Sequence, residues 1–151
     1  MRGEVLLRSL MLVIVMMLFV SACGSDTATS GPITFETEAD FSTRPVVGTF
    51  ELTEGADILG CSNGTFEDTF DEVTEDVTKL MTCSEPNTGT FTILFDPDGY
   101  ATGAGEHNGP WRILDGSGDF ADLQGEGDYL HSHDLPETSV ETFTGDIEYT
   151  S

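Results

Sequence analysis

The chain has 151 residues, of which 28 are acidic and five basic, and its formal net charge at pH 7 is −23. A field of this sign repels phosphates, which argues against nucleic acid or nucleotides as partners because their binding depends on Lys and Arg. The acidity has two interpretations that both stay open: a solvated surface suited to salt, and a surface that collects divalent cations.

Residues 1–22 have the layout of a secretory signal. Two arginines precede an apolar run at 10–20, and small residues follow it. The run is about half the roughly 20 residues that span a bilayer as a helix. "VSAC", which ends at Cys23, resembles the bacterial lipobox. This resemblance implies that residues 1–22 form a signal-peptide helix that is removed, and that a lipid on Cys23 anchors the protein to the extracytoplasmic side of a membrane.

A flexible tether and one β domain are predicted to follow. Residues 23–32 are mostly small and polar and cannot bury enough apolar surface to hold a fixed structure. From 33 to 151, aromatic and β-branched residues recur at every second position between turn signals. Examples of such alternating sets are Phe91, Ile93 and Phe95, and Phe143, Ile147 and Tyr149.

Residues 66–81 also carry apolar residues at spacings of three and four, which would suit an amphipathic helix. Thr and acidic residues crowd the same stretch, however, and Thr is a poor helix former. We therefore predict two strands joined by an acidic loop at about residues 71–76.

The cysteines indicate a disulfide. With Cys23 assigned to the lipid, Cys61 and Cys83 remain as a pair in an exported chain, where disulfides form and persist. We predict a Cys61–Cys83 bridge, which would contribute about 3 kcal/mol through loop closure.

The glycine-rich stretch "GSGDFADLQGEG", residues 116–127, does not indicate a phosphate cradle. Such a cradle needs a helix whose N-terminal amides face the anion, and here no helix follows and acidic residues repel it. Instead, Phe120 and Leu123 are predicted to close one end of a barrel, with the glycines permitting tight bends. We expect no cofactor.

Three segments together carry a family resemblance: "GTFTILF", "GPWRILDGSGDFADLQGEGDY" and "ETFTGDIEY". They resemble the bacterial members of the allene oxide cyclase-like barrel group, over roughly Val46 to Tyr149. The resemblance implies an all-β fold, a single antiparallel eight-stranded β-barrel. It does not imply the cyclase reaction, because none of the plant enzymes' catalytic positions can be matched here.

"YLHSHD" is the most suggestive candidate for chemistry. In a strand, Tyr129, His131 and His133 point the same way, and two such histidines could share a metal if His107 or a carboxylate supplied a third ligand. The alternative is a hydrated loop end with the histidines at the barrel rim. We expect no metal site and keep His131 and His133 as the candidates.

The leading functional hypothesis is a non-enzymatic binding or scaffold module, held at the membrane through Cys23, for a small hydrophobic ligand. The alternative is an isomerase or cyclase acting on a hydrophobic substrate inside the barrel. That alternative requires a polar group with a shifted pKa pointing into the apolar interior. A second alternative is an acidic surface protein that binds divalent cations.

Overall fold

The computed structural model describes residues 29–95, 107–132 and 138–150. In this part of the chain each strand pairs with the next, and the last pairs with the first, so the sheet closes into an antiparallel barrel. The strands are β1 (Ser30–Asp40), β2 (Val46–Glu54), β3 (Asn63–Phe70), β4 (Val77–Cys83), β5 (Thr90–Phe95), β6 (His107–Gly116), β7 (Leu123–Ser132) and β8 (Thr138–Tyr149). A helical turn, α1 (Ala56–Leu59), precedes β3, and a 3-10 turn (Gly118–Phe120) precedes β7. The predicted fold class is confirmed.

The first strand begins earlier than the apolar pattern does. Ser30 pairs with Glu148 and Pro32 with Asp146, so β1 includes three residues that were predicted to belong to the tether. Backbone pairing needs no apolar side chain, which is why hydrophobic alternation does not mark this boundary. The predicted signal segment, the predicted lipidation site Cys23 and the tether residues 24–28 lie outside the described residues.

The segment at 66–81 forms strands and not a helix. β3 ends at Phe70, β4 begins at Val77, and the acidic loop 71–76 joins them as predicted. The Asp71 carboxylate accepts hydrogen bonds from the backbone N–H groups of Val73 and Thr74, at 2.8 and 3.2 Å. These bonds stabilise the turn and lower the pKa of Asp71.

Aromatic rings occupy the barrel axis. The rings of Phe35 and Phe143 stack with centroids 4.7 Å apart, and Phe95 meets Phe143 edge-on at 5.5 Å. Trp111 is buried with them, and its indole N–H donates to the carbonyl of Thr144 at 3.0 Å. An eight-stranded barrel is just wide enough for side chains to fill, and here contacting rings fill its middle.

The strand order gives the barrel two different ends. Loops 55–62, 84–89 and 117–122 lie at one end, where Phe120 is fully buried with its ring centroid 5.3 Å from that of Phe91. We call this the plugged end. Loops 41–45 and 71–76 lie at the opposite end, called the charged end for the side chains described below.

The plugged end is held by covalent and polar links. A disulfide joins Cys61 to Cys83, with their Cα atoms 6.0 Å apart, and confirms the predicted pair. The Asp119 carboxylate accepts hydrogen bonds from the backbone N–H and hydroxyl of Thr88, at 2.7 and 3.2 Å. Gly118, the residue before Asp119, has a φ of 60°, the left-handed conformation that glycine adopts at least cost. Gly118 therefore permits a tight bend, as predicted, whereas Gly125 and Gly127 lie within β7.

Candidate functional site

Buried polar side chains gather inside the charged end of an otherwise apolar barrel. Lys79 and Glu141 are 0 % and 1 % exposed, values typical of core residues and unusual for charged ones. We call the group the Lys79 cluster, and its members are Thr37, Asp68, Lys79, His131 and Glu141.

Strand alternation dictates these positions. In β4, Val77, Lys79, Met81 and Cys83 are all buried while the residues between them are more exposed. Lys79 thus occupies an inward position of a strand whose other inward residues are apolar. Glu141 is likewise two residues before the buried Phe143 in β8. Because the apolar neighbours fix the register, both charges must point inward.

The Lys79 ammonium lies between two carboxylates and an aromatic face. Its Nζ is 2.9 Å from Asp68 Oδ1 and 3.1 Å from Glu141 Oε2. The same atom lies 3.5 Å from the centroid of the Phe66 ring, a cation–π contact that strengthens when water is excluded. The charge of Lys79 is therefore compensated entirely by protein groups.

Glu141 connects β8 to three other strands. Its Oε2 accepts a hydrogen bond of 2.8 Å from the Thr37 hydroxyl, and its Oε1 lies 3.4 Å from His131 Nδ1. Burial by itself would raise the pKa of Glu141. The ammonium of Lys79 and the hydrogen bonds that the carboxylate accepts outweigh burial and lower that pKa to about 2. Glu141 is thus held as a carboxylate.

Asp68 lies nearer to water, with 11 % of its side chain exposed. Burial raises its pKa to about 6, against the opposing attraction of the Lys79 ammonium, and the neighbouring Glu141 charge adds to the rise. The two carboxylates around one ammonium therefore differ in the pH at which they ionise. One stays charged, and the other can exchange a proton near neutral pH, which is a division typical of general acid–base sites.

The sequence-predicted candidates fall partly in this cluster. His131 belongs to it and, at 1 % exposure, does not lie at a hydrated rim. The hydrophobic register of β7 carries His131 inward together with Tyr129. His133 lies outside the described residues, as does the side chain of His107. Among the described residues no three His, Cys, Asp or Glu side chains are grouped so as to hold a metal ion.

Sequence analysis missed Lys79, Asp68, Glu141 and Thr37. The available signal was a charged residue at an inward position: Lys79 between Val77 and Met81, and Asp68 between Phe66 and Phe70. Burying a charge costs free energy unless it is paired, so a charged residue at an inward position indicates a buried partner of opposite charge.

No known family model matches this chain, and no curated protein sequence is significantly similar to it. None of the helices in the described part of the chain is both long and apolar enough to cross a membrane.

Proposed function

We propose that the protein is a lipid-anchored binding module of the bacterial cell envelope, and that it binds a small, largely apolar ligand at the charged end of the barrel. The anchor would be Cys23, on the extracytoplasmic side of the membrane. The lipobox-like "VSAC" and the disulfide, a bond favoured in oxidising compartments, support this assignment. The closed eight-stranded barrel agrees with the resemblance to the allene oxide cyclase-like group.

The observation that carries the proposal is the burial of Lys79 with two carboxylates. A buried ion pair is often no more stabilising than well-packed apolar residues of similar volume. Stability alone therefore does not explain these charges in a barrel that is otherwise filled with aromatic rings. Grouped charges with shifted pKa values are instead characteristic of functional sites.

We call the rim of the charged end the mouth, and its described part carries exposed apolar side chains. Phe70 and Val73 are 50 % and 90 % exposed, and Phe70 follows Phe66 and Asp68 on the inward-facing side of β3. The barrel axis behind the cluster is filled by rings such as Phe95. We therefore assign the ligand to the mouth, with its apolar part on Phe70 and a hydrogen-bond donor directed at Asp68.

Native mass spectrometry of the protein purified from membranes tests this proposal. We expect a bound small molecule in the native protein and its loss in Phe70→Ser, because that change removes the apolar contact without altering a buried residue. Leu130→Ser is the matched control, since Leu130 is similarly exposed, at 44 %, on another strand. The proposal is refuted if neither the native protein nor the control retains a small molecule, or if neither of them binds the neutral dye Nile red.

A second candidate function, an isomerase or cyclase at the same cluster, is favoured by the separated pKa values of Asp68 and Glu141. Asp68 would transfer the proton, and Glu141 would keep the Lys79 ammonium in position. The recovered ligand, incubated with the protein in D₂O, should then gain deuterium, and Asp68→Asn should abolish this exchange. If the ligand binds but takes up no deuterium, the protein does not have this isomerase or cyclase activity.

A further inference from the structure

The hydroxyl of Ser139 is buried at the charged end of the barrel. Ser139 is 2 % exposed, and within the part of the chain that the structure describes its Oγ has no hydrogen-bond partner. Burying a hydroxyl without a partner costs free energy, and such groups are rare in folded proteins. A ligand with a polar group at this depth would supply the partner that the fold does not.

Ser139 lies one inward position nearer the mouth than Glu141 does. Ser139, Glu141 and Phe143 are all buried, which is the alternation that directs every second side chain of β8 into the barrel. Ser139 pairs with Ala39 of β1, two residues before loop 41–45 of the charged end. The hydroxyl is therefore placed between the Lys79 cluster and the mouth.

The Lys79 cluster has an acceptor that is not used up by the cluster itself. Lys79 donates a hydrogen bond of 3.0 Å to Asp68 Oδ2. Asp68 Oδ1 accepts none from the described residues, although the same ammonium is 2.9 Å away. With a neutral imidazole at His131, two carboxylates face one ammonium, since Glu141 is the second. The cluster thus has both an unused acceptor and an excess of negative charge.

The described loops around the mouth add negative charge. The acids of loop 71–76 are Asp71, Glu72, Glu75 and Asp76. Loop 41–45 holds one cation, Arg44, whose guanidinium donates to the carbonyls of Phe41 and Thr43. A field of this sign raises the local concentration of cations and repels anions. The half-exposed ring of Phe70 offers a face on which a cation or an apolar group can lie.

We propose that the ligand of the mouth is a small amphiphilic amine, whose ammonium donates hydrogen bonds to Asp68 and to the hydroxyl of Ser139 while its apolar part lies on Phe70. This inference rests on the proposed function, because it names the chemical class of ligand for the same site. A primary ammonium has three N–H donors and no acceptor, so it can satisfy both oxygen atoms at once. An alcohol has a single donor, and a carboxylate has none and is repelled.

Displacement of Nile red by octylamine, octanol and octanoate tests the proposal on the purified protein at pH 8 and 0.15 M NaCl. The three competitors share one alkyl chain and differ in the polar group. At pH 8 Asp68 is ionised, since its pKa is about 6, and an alkylamine is charged, since the ordinary pKa of such a group is about 10.4. We expect octylamine to displace the dye at a concentration at least about tenfold lower than octanol, because hydrogen bonds to charged groups are the stronger ones. Octanoate should be the weakest.

Three variants localise the ammonium. Asp68→Asn should remove the preference for octylamine over octanol. Glu72→Gln is the matched control, because Glu72 is an exposed acid of loop 71–76 outside the cluster, and it should keep the preference. Ser139→Ala should weaken octylamine by about tenfold without lowering the melting temperature, because the hydroxyl that it removes has no hydrogen-bond partner among the described residues.

The outcomes separate this inference from the proposed function. If the native protein binds Nile red but octanol displaces the dye as well as octylamine does, the ligand is not an amine and the binding module stands. Equal effects of Asp68→Asn and Glu72→Gln would also overturn the inference, as would a Ser139→Ala variant that melts earlier and binds octylamine unchanged. If Nile red does not bind the native protein, the proposed function itself fails and this inference falls with it.

Discussion

The ammonium of Lys79 is fully buried, so its charge is compensated by Asp68 and Glu141 and not by water. Replacing it would leave the buried Glu141 carboxylate without a cation. We expect Lys79→Met to lower the free energy of unfolding by about 3–5 kcal/mol, the range for removing one partner of a buried pair. Urea denaturation at pH 7 measures this change.

The double variant Lys79→Met/Glu141→Gln separates the ion pair from simple loss of packing. It should lose less stability than the two single variants together, because the buried Glu141 carboxylate is then no longer present without its cation. Glu148→Gln is the control, since Glu148 is an exposed residue of the same strand and its replacement should stay within about 0.5 kcal/mol. Strictly additive single changes would contradict the assigned pairing.

Asp68 makes stability depend on pH in a direction opposite to the usual one for a carboxyl group. Its pKa in the fold, about 6, exceeds the ordinary value of 3.8, so the folded protein keeps a proton that the unfolded chain has lost. The resulting stabilisation is complete below about pH 4 and is lost as the pH rises through 6. Glu141, with its lowered pKa, contributes stability that is present above pH 4.5 and is lost as the pH falls towards 2.

Asp68→Asn isolates the first of these effects. We compare the free energy of unfolding of this variant with that of the native protein. The difference, variant minus native, should be about 1–3 kcal/mol larger at pH 7 than at pH 4, since one unit of pKa corresponds to about 1.4 kcal/mol. Urea denaturation at the two pH values gives the difference. Asp146→Asn, at an exposed position, should show a smaller difference, and a reversed sign for Asp68→Asn would show that its pKa is not raised.

At the scale of strands, hydrophobic alternation was enough to predict the β segments, the loop 71–76 and the inward faces of β5 and β8. The Cys61–Cys83 bridge could also be predicted, because it needed only a pair of thiols. The Lys79 cluster could not, because the ion pair that unites it, Lys79 with Glu141, crosses the interior between two strands that are not neighbours. Thr37 and Glu141 are 104 residues apart, and Lys79 and Glu141 belong to β4 and β8. Only barrel closure and register bring them together.

The disulfide links the two ends of the β3–β4 hairpin. It joins Cys61, just before β3, to Cys83 at the end of β4, across 22 residues of chain. We expect its removal in Cys61→Ala/Cys83→Ala to lower stability by about 3 kcal/mol, since the open chain gains loop entropy on unfolding. Thermal unfolding with and without reductant measures this. The variant should not respond to reductant, and a native protein that is equally insensitive would contradict the prediction.

Over the whole molecule, negative charge lies on the outside of the barrel at positions that face one another. Glu36 is directly opposite Glu51, Glu126 is opposite Asp146, and all four are exposed. Like charges in such pairs are destabilising. Raising salt from 0.1 to 1 M shortens the screening length from about 10 to about 3 Å. We therefore expect NaCl to raise the melting temperature, as it should for a salt-adapted surface.

Calcium distinguishes the two interpretations of this acidity. At constant ionic strength, millimolar CaCl₂ should add nothing to the melting temperature if the carboxylates are only solvated, because screening depends on ionic strength and not on the identity of the ion. A surface that collects divalent cations would instead be stabilised in proportion to their occupancy.

Glu36→Gln should raise the melting temperature at 0.1 M NaCl and have less effect at 1 M, because it removes one member of a repelling pair. If the gain is the same at both salt concentrations, repulsion between neighbouring strands is not its cause.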